Sequence, residues 1–396
     1  MLIFSLLKGV PARTTQVVTT GGILRREQME IVLNPHDTKA IEAADYVKRR
    51  MGGKVVAMTM GPEVKMAPIM RELFHSEVEG VDEVVILSDR RMAGADTLAT
   101  SYTLSKGIQS AIQLNHEAFD KLIATLHLGV DEFLRTAREL YLANLIPNRV
   151  FSTIAPVKKT LANRLSSNGI TANEAEVALR EQQRRLNEFL IIAGTKSTDG
   201  ETGSVGPQVA EALSRERGQP VPHVINVDDL VIGDTNARLT CRRRMFRMVE
   251  TLGVSLPALL TISDDYRPRT VPPTVKPEVR ANSYRGKVID PYVWNCEKIG
   301  ADPSSVGLAG SPTIVGPGYD VGGPPIRKML GKSMLAKRDI EVLSFGNKTY
   351  GPFKRGTALD NLDELVKDSL LQSGAAGLFE YSDLLIELFG EKVELG

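Results

Sequence analysis

The sequence predicts an α/β fold: a parallel sheet flanked by helices, with a helical insertion and an extended C-terminal arm. Three observations carry this. Apolar runs of strand length alternate with segments of helical spacing over the first hundred residues and again after about residue 186. Between them, residues 113–185 show helical spacing only. From about residue 264 the chain becomes rich in Gly and Pro, and it ends acidic.

Leu2–Leu7 is a short apolar run, expected to be a buried strand rather than a signal peptide, because no positive charge precedes it and Lys8 ends it. Pro35–Met51 has Ile41, Ala44, Val47 and Met51 at helical spacing, closed by Gly52 and Gly53. Lys54–Met60 reads as a buried strand, and Gly61-Pro62 opens a second helix. Glu83–Leu87 is a third strand. Asp89–Ala95 is a loop, and Asp96 caps a helix expected to reach about Ile112. Strands alternating with helices imply right-handed crossovers and a parallel sheet.

In 113–185, Phe119, Leu122, Ile123, Leu126, Val130, Phe133, Leu134 and Ala137 keep one apolar stripe, and Pro147 breaks it. Thr171–Glu174 is a capping box opening another helix. This region is either a helical hairpin packed on the main domain or a partner-binding arm. Strands resume at Glu188–Ala193, followed by a Gly-rich loop and a helix from about Gly206. Val221–Val227 and Leu256–Ile262 are further strands. Arg267–Pro277 holds four prolines and is expected to be exposed and extended. Val306–Pro325 is too rich in Gly and Pro for a regular element. Thr357–Gln372 and Leu378–Phe389 read as helices. Residues 358–396 carry nine acidic and two basic side chains, either a docking tail or a solvated face. The expected division is 1–112 with 186–263 as an α/β domain, 113–185 as a helical insertion, 264–330 as a Gly/Pro-rich segment, and 331–396 as a C-terminal extension with amphipathic helices.

Composition narrows the function classes. Lys+Arg total 49 and Asp+Glu 48, so a formal charge of +1 argues against a general polyelectrolyte role on nucleic acid. Cys241 and Cys296 alone exclude a disulfide framework or a four-cysteine cluster, and five scattered histidines lack zinc spacing. No uncharged stretch of spanning length is helical in character. There is no G-x-S-x-G elbow for a serine hydrolase. Arg242, Arg243, Arg244 and Arg247 either meet phosphates or alternate on a strand with one exposed face. Trp294 reads as core or interface.

The strongest chemical signal is Gly194–Pro207, GTKSTDGETGSVGP, between an apolar strand and a helix. Its glycines allow close backbone approach. Thr195, Ser197, Thr198, Thr202 and Ser204 supply hydroxyls, and the following helix adds free N–H groups. It ends in neither a Walker G-K-[ST] nor a G-x-G-x-x-G pattern. Asp199 and Glu201 would oppose a bare triphosphate, but can bind a ribose or order the loop. On spacing alone, both a nucleotide site and a structural turn remain open. Ala93–Thr97 is a second strand-to-helix loop, expected at the same sheet edge.

At these loops the sequence resembles the beta subunit of electron transfer flavoprotein. The matching residues are Asn34-Pro35-His36-Asp37, Thr59-Met60-Gly61-Pro62, Leu87-Ser88-Asp89-Arg90, Ala93-Gly94-Ala95-Asp96-Thr97, Ala99-Thr100-Ser101, and Gly194 to Pro207. The matches run in order over about 1–112 and 186–330. The resemblance implies a Rossmann-like fold, an alpha-subunit partner and a bound adenine nucleotide. That nucleotide is AMP in simple carriers for acyl-CoA dehydrogenases and the adenosine diphosphate part of a second FAD in the electron-bifurcating group. Val306–Thr313 resembles a segment of the bifurcating group, which favours FAD. In that group the flavin takes a hydride from NADH. One electron then goes to a high-potential, quinone-linked or dehydrogenase acceptor, and one to a ferredoxin-like acceptor or iron-sulfur subunit. The redox chemistry belongs to the cofactor.

Carried over residue by residue, the resemblance places nucleotide contacts at Leu6, Asn34, Pro35, His36, Asp37, Met60, Asp96, Thr97 and Thr100. It adds Gly194, Thr198, Asp199, Gly200, Thr202, Gly203, Ser204, Val205, Gly206 and Pro207. Thr270–Lys276 resembles the partner-recognition loop, with Val271 where simple carriers often have Leu. Glu201 replaces the usual Asp, and Thr195-Lys196-Ser197 the common [KR]-Q-A. The insertion at 113–185 and the tail are expected to bind an extra subunit. No metal and no nucleic acid are implied, and a cytoplasmic location is expected, with membrane association only through partners. An adenine-nucleotide-binding regulatory or adenylate-transferring protein on a similar fold is the rival from another class, and a pure assembly subunit that has lost its nucleotide is a further alternative.

Overall fold

The computed structural model describes residues 1–12, 19–20, 23–24, 30–75, 81–126, 128, 130–142, 172–233, 239–269, 291–313, 343–345 and 348–350. The chain divides into two units, Met1–Val18 with Leu24–Gly316, and Thr19–Ile23 with Pro317–Gly396.

The strands, in chain order, are β1 (Leu2–Leu7), β2 (Gly9–Pro11), β3 (Thr19–Thr20), β4 (Ile23–Leu24), β5 (Ile31–Leu33), β6 (Lys54–Met60), β7 (Glu83–Leu87), β8 (Leu190–Gly194), β9 (His223–Ile232), β10 (Leu239–Met245), β11 (Met248–Val254), β12 (Ala258–Ile262), β13 (Tyr292–Trp294), β14 (Leu343–Phe345) and β15 (Lys348–Tyr350). The helices are α1 (Pro35–Met51), α2 (Glu63–His75), α3 (Thr97–Thr125), α4 (Val130–Leu142), α5 (Ala172–Arg184) and α6 (Val205–Arg217). In the second unit, β14 and β15 form an antiparallel pair.

The first unit is built on one nine-stranded sheet of order β11-β10-β9-β12-β8-β1-β6-β7-β13. From β9 to β13 every pairing is parallel, as the alternating pattern predicts. β1 is buried along its whole length, with β6 on one side and β8 on the other. Its alternating side chains feed two cores. Leu2, Phe4 and Leu6 pack with α3 and α6 residues such as Ile108, Phe119, Val209 and Leu213. Ile3 and Leu7 pack with α1 and α2 residues such as Ala44, Val47, Met66 and Met70. The result is helix, sheet, helix.

Local chemistry sets the element ends. α1 starts with Pro35, whose missing N–H would be unpaired anyway, and stops at Gly52, which adopts φ +72° and donates its N–H to Lys48 O. Asp96 caps α3 through its side chain, accepting the N–H groups of Leu98 and Ala99.

The structure corrects several boundaries. α3 does not end near Ile112; it runs unbroken to Thr125, about 44 Å at 1.5 Å per residue. No Gly or Pro interrupts residues 108–125, and Ala111, Ile112, Ala118, Phe119, Leu122 and Ile123 keep one buried face. β9 continues past Val227 to Ile232, where it meets an antiparallel extension, β10 and β11, that closes one end of the sheet. β10 carries the arginine run as an alternating strand, with Arg242 paired to Asp228 and Arg243 to Glu250. β8 begins at Leu190 and β12 at Ala258, each two residues later than the apolar run suggests. Trp294 is core, in the three-residue edge strand β13. α5 begins where the capping box places it, Thr171 itself lying outside the described residues. Pro147, Val271 and the remainder of 270–277, all of 314–325 and the helices expected at 357–372 and 378–389 also lie outside them. Among the described residues, no helix is long and apolar enough to cross a membrane.

Candidate functional site

The chain leaves β1 towards β6 on one side, and β8 lies on the other, so the carboxyl ends of β1 and β8 form a topological switch point. Open α/β sheets bind ligands in the crevice at such a point. The Gly194–Ser204 loop leaves β8 here, and Lys8 leaves β1 here.

Asn34 is the first organiser. It is buried before α1, and its side chain caps nothing there. Instead Nδ2 donates to Lys196 O (2.9 Å) and to Asp37 Oδ1 (3.0 Å), and Oδ1 accepts the Thr198 N–H (3.3 Å). The loop is thus tied to the start of α1.

Asp37 is the second. It is buried, and Oδ2 accepts the Lys8 N–H at 2.7 Å. Burial pushes its carboxyl up to about 7, against hydrogen bonds from the Lys8 N–H, the Asn34 amide and the Gly194 N–H that favour the charged form. A Cβ on Gly194 would lie 2.5 Å from Asp37 Oδ1 and 2.8 Å from the His36 carbonyl carbon, so only glycine fits. His36 Nδ1 lies 2.6 Å from Asp264 Oδ1, which joins the start of α1 to the segment after β12.

The two acidic residues of the loop are spoken for. Lys8 Nζ contacts Asp199 Oδ1 at 2.6 Å and Ser197 Oγ at 3.1 Å, and Lys196 Nζ contacts Glu201 Oε1 at 3.1 Å. Of the roles open to Asp199 and Glu201, ordering the loop is the one seen. The turn is tightened by Glu201 at φ +52° and Gly203 at φ +63°. Beyond it, Ser204 precedes α6 without a side-chain cap, and Pro207 has no N–H. Gly206 lets α6 sit against β12, since a Cβ there would lie 2.9 Å from Thr261 Cγ2. Ser204 turns its N–H to Thr202 Oγ1 (3.4 Å) and its hydroxyl to Thr202 O (3.3 Å), which leaves the Thr202 hydroxyl and the first N–H groups of α6 as donors beside the exposed Thr202 and Gly203. That donor set fits an anionic group such as a phosphate.

The second loop adjoins the first. Ser101 Oγ, in α3, lies 3.3 Å from Val205 O and 3.2 Å from Gln208 Oε1 in the first turn of α6. Asp96 uses Oδ1 for its cap, and Oδ2 accepts both the Thr313 hydroxyl (2.6 Å) and its N–H (3.1 Å). Burial raises the Asp96 carboxyl, but the bonds from Thr313, Ala99 and Leu98 outweigh this and hold it below the usual range. The Asp96 N–H donates to Ser311 Oγ, and the Leu308 N–H to Ala93 O. Gly307, at φ +55°, lies where a Cβ would be 1.8 Å from Arg91 O. The 306–313 segment is therefore seated on the Ala93–Asp96 loop.

Leu6, next to last in β1, and Met60, last in β6, lie on the α3 and α6 face, Leu6 buried and Met60 partly so. Thr97 and Thr100 lie in the first turn of α3, half-buried. Pro35 is exposed at the start of α1, and Gly200 at the loop tip. Sequence reasoning missed Lys8 and Asp264. The signal for Lys8 was a single lysine at the end of a wholly apolar strand; Asp264 gave none. Among the described residues, no three His, Cys, Asp or Glu side chains group as metal ligands.

Comparison with known proteins now bears on this site. The family described as electron transfer flavoprotein domain matches residues 22–121, which include Asn34–Asp37 and the Ala93–Thr97 loop. Over those residues the chain is similar to that family, and over most of its length it resembles the beta subunit. It is 29% identical over 300 residues to the caffeyl-CoA reductase-Etf complex subunit CarD of Acetobacterium woodii, covering 74% of this chain and 78% of that one. It is 26% identical over 311 residues to the electron transfer flavoprotein subunit beta of Clostridium acetobutylicum, 78% of this chain and 84% of that one. It is 25% identical over 297 residues to the protein FixA of Azotobacter vinelandii, 74% of each. The Gly194–Pro207 loop lies outside the electron transfer flavoprotein domain match, so its role rests on its own geometry.

Proposed function

We propose that this beta-type chain pairs with an alpha subunit to form a flavin-containing electron carrier, and holds an adenine nucleotide at the β1/β8 switch point. The observation that carries the reading is the Gly194–Ser204 loop, pinned by Asn34 and Lys8 with its carboxylates neutralised, so that N–H and hydroxyl donors are left for phosphate. Thr202, Gly203, Ser204 and Val205 take the phosphates. The carboxyl ends of β1 and β6, at Leu6 and Met60, with Asn34–Asp37, border the adenosine. Thr97, Thr100, Thr198, Gly200 and the paired Asp199 complete the surround.

The nucleotide is the FAD of a bifurcating carrier rather than AMP. The seating of 306–313 on the Asp96 loop supports this, because it adds an ordered wall at the second loop beyond what a mononucleotide needs. NADH is the donor in this reading. The acceptors are a dehydrogenase or quinone-linked protein and a ferredoxin-like protein. When bound, the flavin supplies the redox chemistry, while this chain binds and orients it.

The test is a nucleotide count on the chain co-purified with its alpha subunit, after denaturing release. About two FAD and no AMP per heterodimer is expected. One FAD with one AMP would make it a simple carrier. Binding of ATP by this chain alone, with no alpha subunit retained, would favour a regulatory protein and overturn the reading.

A further inference from the structure

We propose that the outer edge of β11 and the tip of the β10–β11 hairpin form a docking edge, on which the alpha subunit adds a strand bearing acidic side chains. This rests on the alpha-subunit pairing proposed above and says where that pairing occurs. Four observations carry it. First, β11 is the last strand of the sheet, so one side of its seven-residue backbone is unpaired among the described residues. A strand of that length with an open edge is a template for another chain, and monomeric proteins usually cover or charge it.

Second, three apolar side chains at the tip are outside. Phe246 is 97% exposed, Met248 59% and Val249 58%. Third, the turn breaks its own local rule. The Met245–Met248 pair leaves a two-residue turn, and Phe246 occupies φ +52°, where glycine or asparagine is usual. An exposed aromatic in strained backbone is explained by something that receives it.

Fourth, the charge is one-sided. Arg242 and Arg243 are balanced by Asp228 and Glu250, but Arg244 and Arg247 have no ion pair among the described residues. They flank Phe246 and set the partner's chemistry as acidic, with an apolar pocket between the carboxylates. A lipid surface would accept the arginines and the phenylalanine, but offers no partner for an open strand edge. The backbone edge therefore favours protein.

The experiment uses the full chain with its alpha subunit. Association is measured for the wild type, for Phe246→Ser and for Arg244→Glu with Arg247→Glu, alongside hydrogen exchange of the β11 amides in the free and assembled wild type. Each variant changes exposed side chains, and its melting curve is recorded to show that it folds. The expected result is at least about tenfold weaker association for each variant, and slower exchange of alternate β11 amides on assembly. Unchanged association, or β11 amides that exchange equally in both states, would overturn the proposal. So would sedimentation with anionic vesicles, or self-association, that the variants abolish while assembly persists. If the wild type does not bind the alpha subunit at all, the pairing itself fails, which is a different outcome.

Discussion

Asp37 shows how much of the site hangs on one side chain. It joins the end of β1, the start of α1 and the end of β8, and is buried while doing so. Its carboxyl is raised from 3.8 to about 7, so between those values the folded chain holds a proton that the unfolded chain has lost. The stability this group contributes is full below about pH 4 and is lost as pH rises through about 7. Asp37→Asn removes that dependence. Urea unfolding should find the variant gaining on the wild type between pH 5 and pH 8; a constant difference would show that Asp37 is charged throughout. Gly194 is the other fixed point. Gly194→Ala forces a Cβ to 2.5 Å from Asp37 Oδ1 and should cost about 1–3 kcal/mol together with the bound nucleotide. Lys8→Met is the complementary case. Lys8 is 45% exposed, so its ion pair with Asp199 should count for less than about 1 kcal/mol of stability. Nucleotide retention should nevertheless fall several-fold, because the loop loses the lysine that ties Asp199 and Ser197 to the end of β1. A retention assay that cannot tell Lys8→Met from wild type would remove Lys8 from the site.

At the scale of elements, the sequence was legible wherever one physical signal sufficed. Leu2–Leu7, Lys54–Met60 and Glu83–Leu87 are wholly apolar or nearly so and became the central parallel strands. α1 was bounded by Pro35 and the Gly52-Gly53 pair. The misses share a cause. β10 is charge-rich and β13 only three residues long, so neither announces itself without its sheet neighbours. α3 was cut short at the change of pattern and composition near Gln113, yet Asn115 is buried with its amide on Ala111 O. The site followed the same division. Its glycines and hydroxyls lie in one contiguous loop, but Lys8 reaches Asp199 across 191 residues and His36 reaches Asp264 across 228, which no local pattern encodes. Asp96 joins the two scales, since it caps α3 and seats Thr313. Asp96→Ala should therefore cost more than an isolated cap, which is worth about 1 kcal/mol. Thr313→Val should recover only the part due to the seat. Equal melting temperatures for Asp96→Ala and wild type would show that the 306–313 segment holds without it.

For the whole molecule, the question is how the 113–185 region belongs to the α/β body. Its apolar stripe allowed a packed hairpin or a separate arm, and the described part is packed. Phe119, Leu122 and Ile123 of α3 share one core with Phe133, Ala137 and Leu140 of α4, with Leu179 of α5 and with Leu186. That core is continuous with Phe4 and Ile191 in the sheet. Excising 113–185 would thus remove buried side chains from the main core and cut α3 in half. At about 2–5 kcal/mol for each large apolar side chain lost, the excised chain should not fold. Replacing only 143–171 with a flexible linker of about 12 residues removes no described core residue and should leave the melting temperature within a few degrees. The comparison separates two roles. If the linker variant keeps its nucleotide and its alpha subunit but loses a third protein from the purified assembly, residues 143–171 are the contact for an added subunit. If every component is retained, the region serves the fold alone, and α4 and α5 are there to cover the far end of α3.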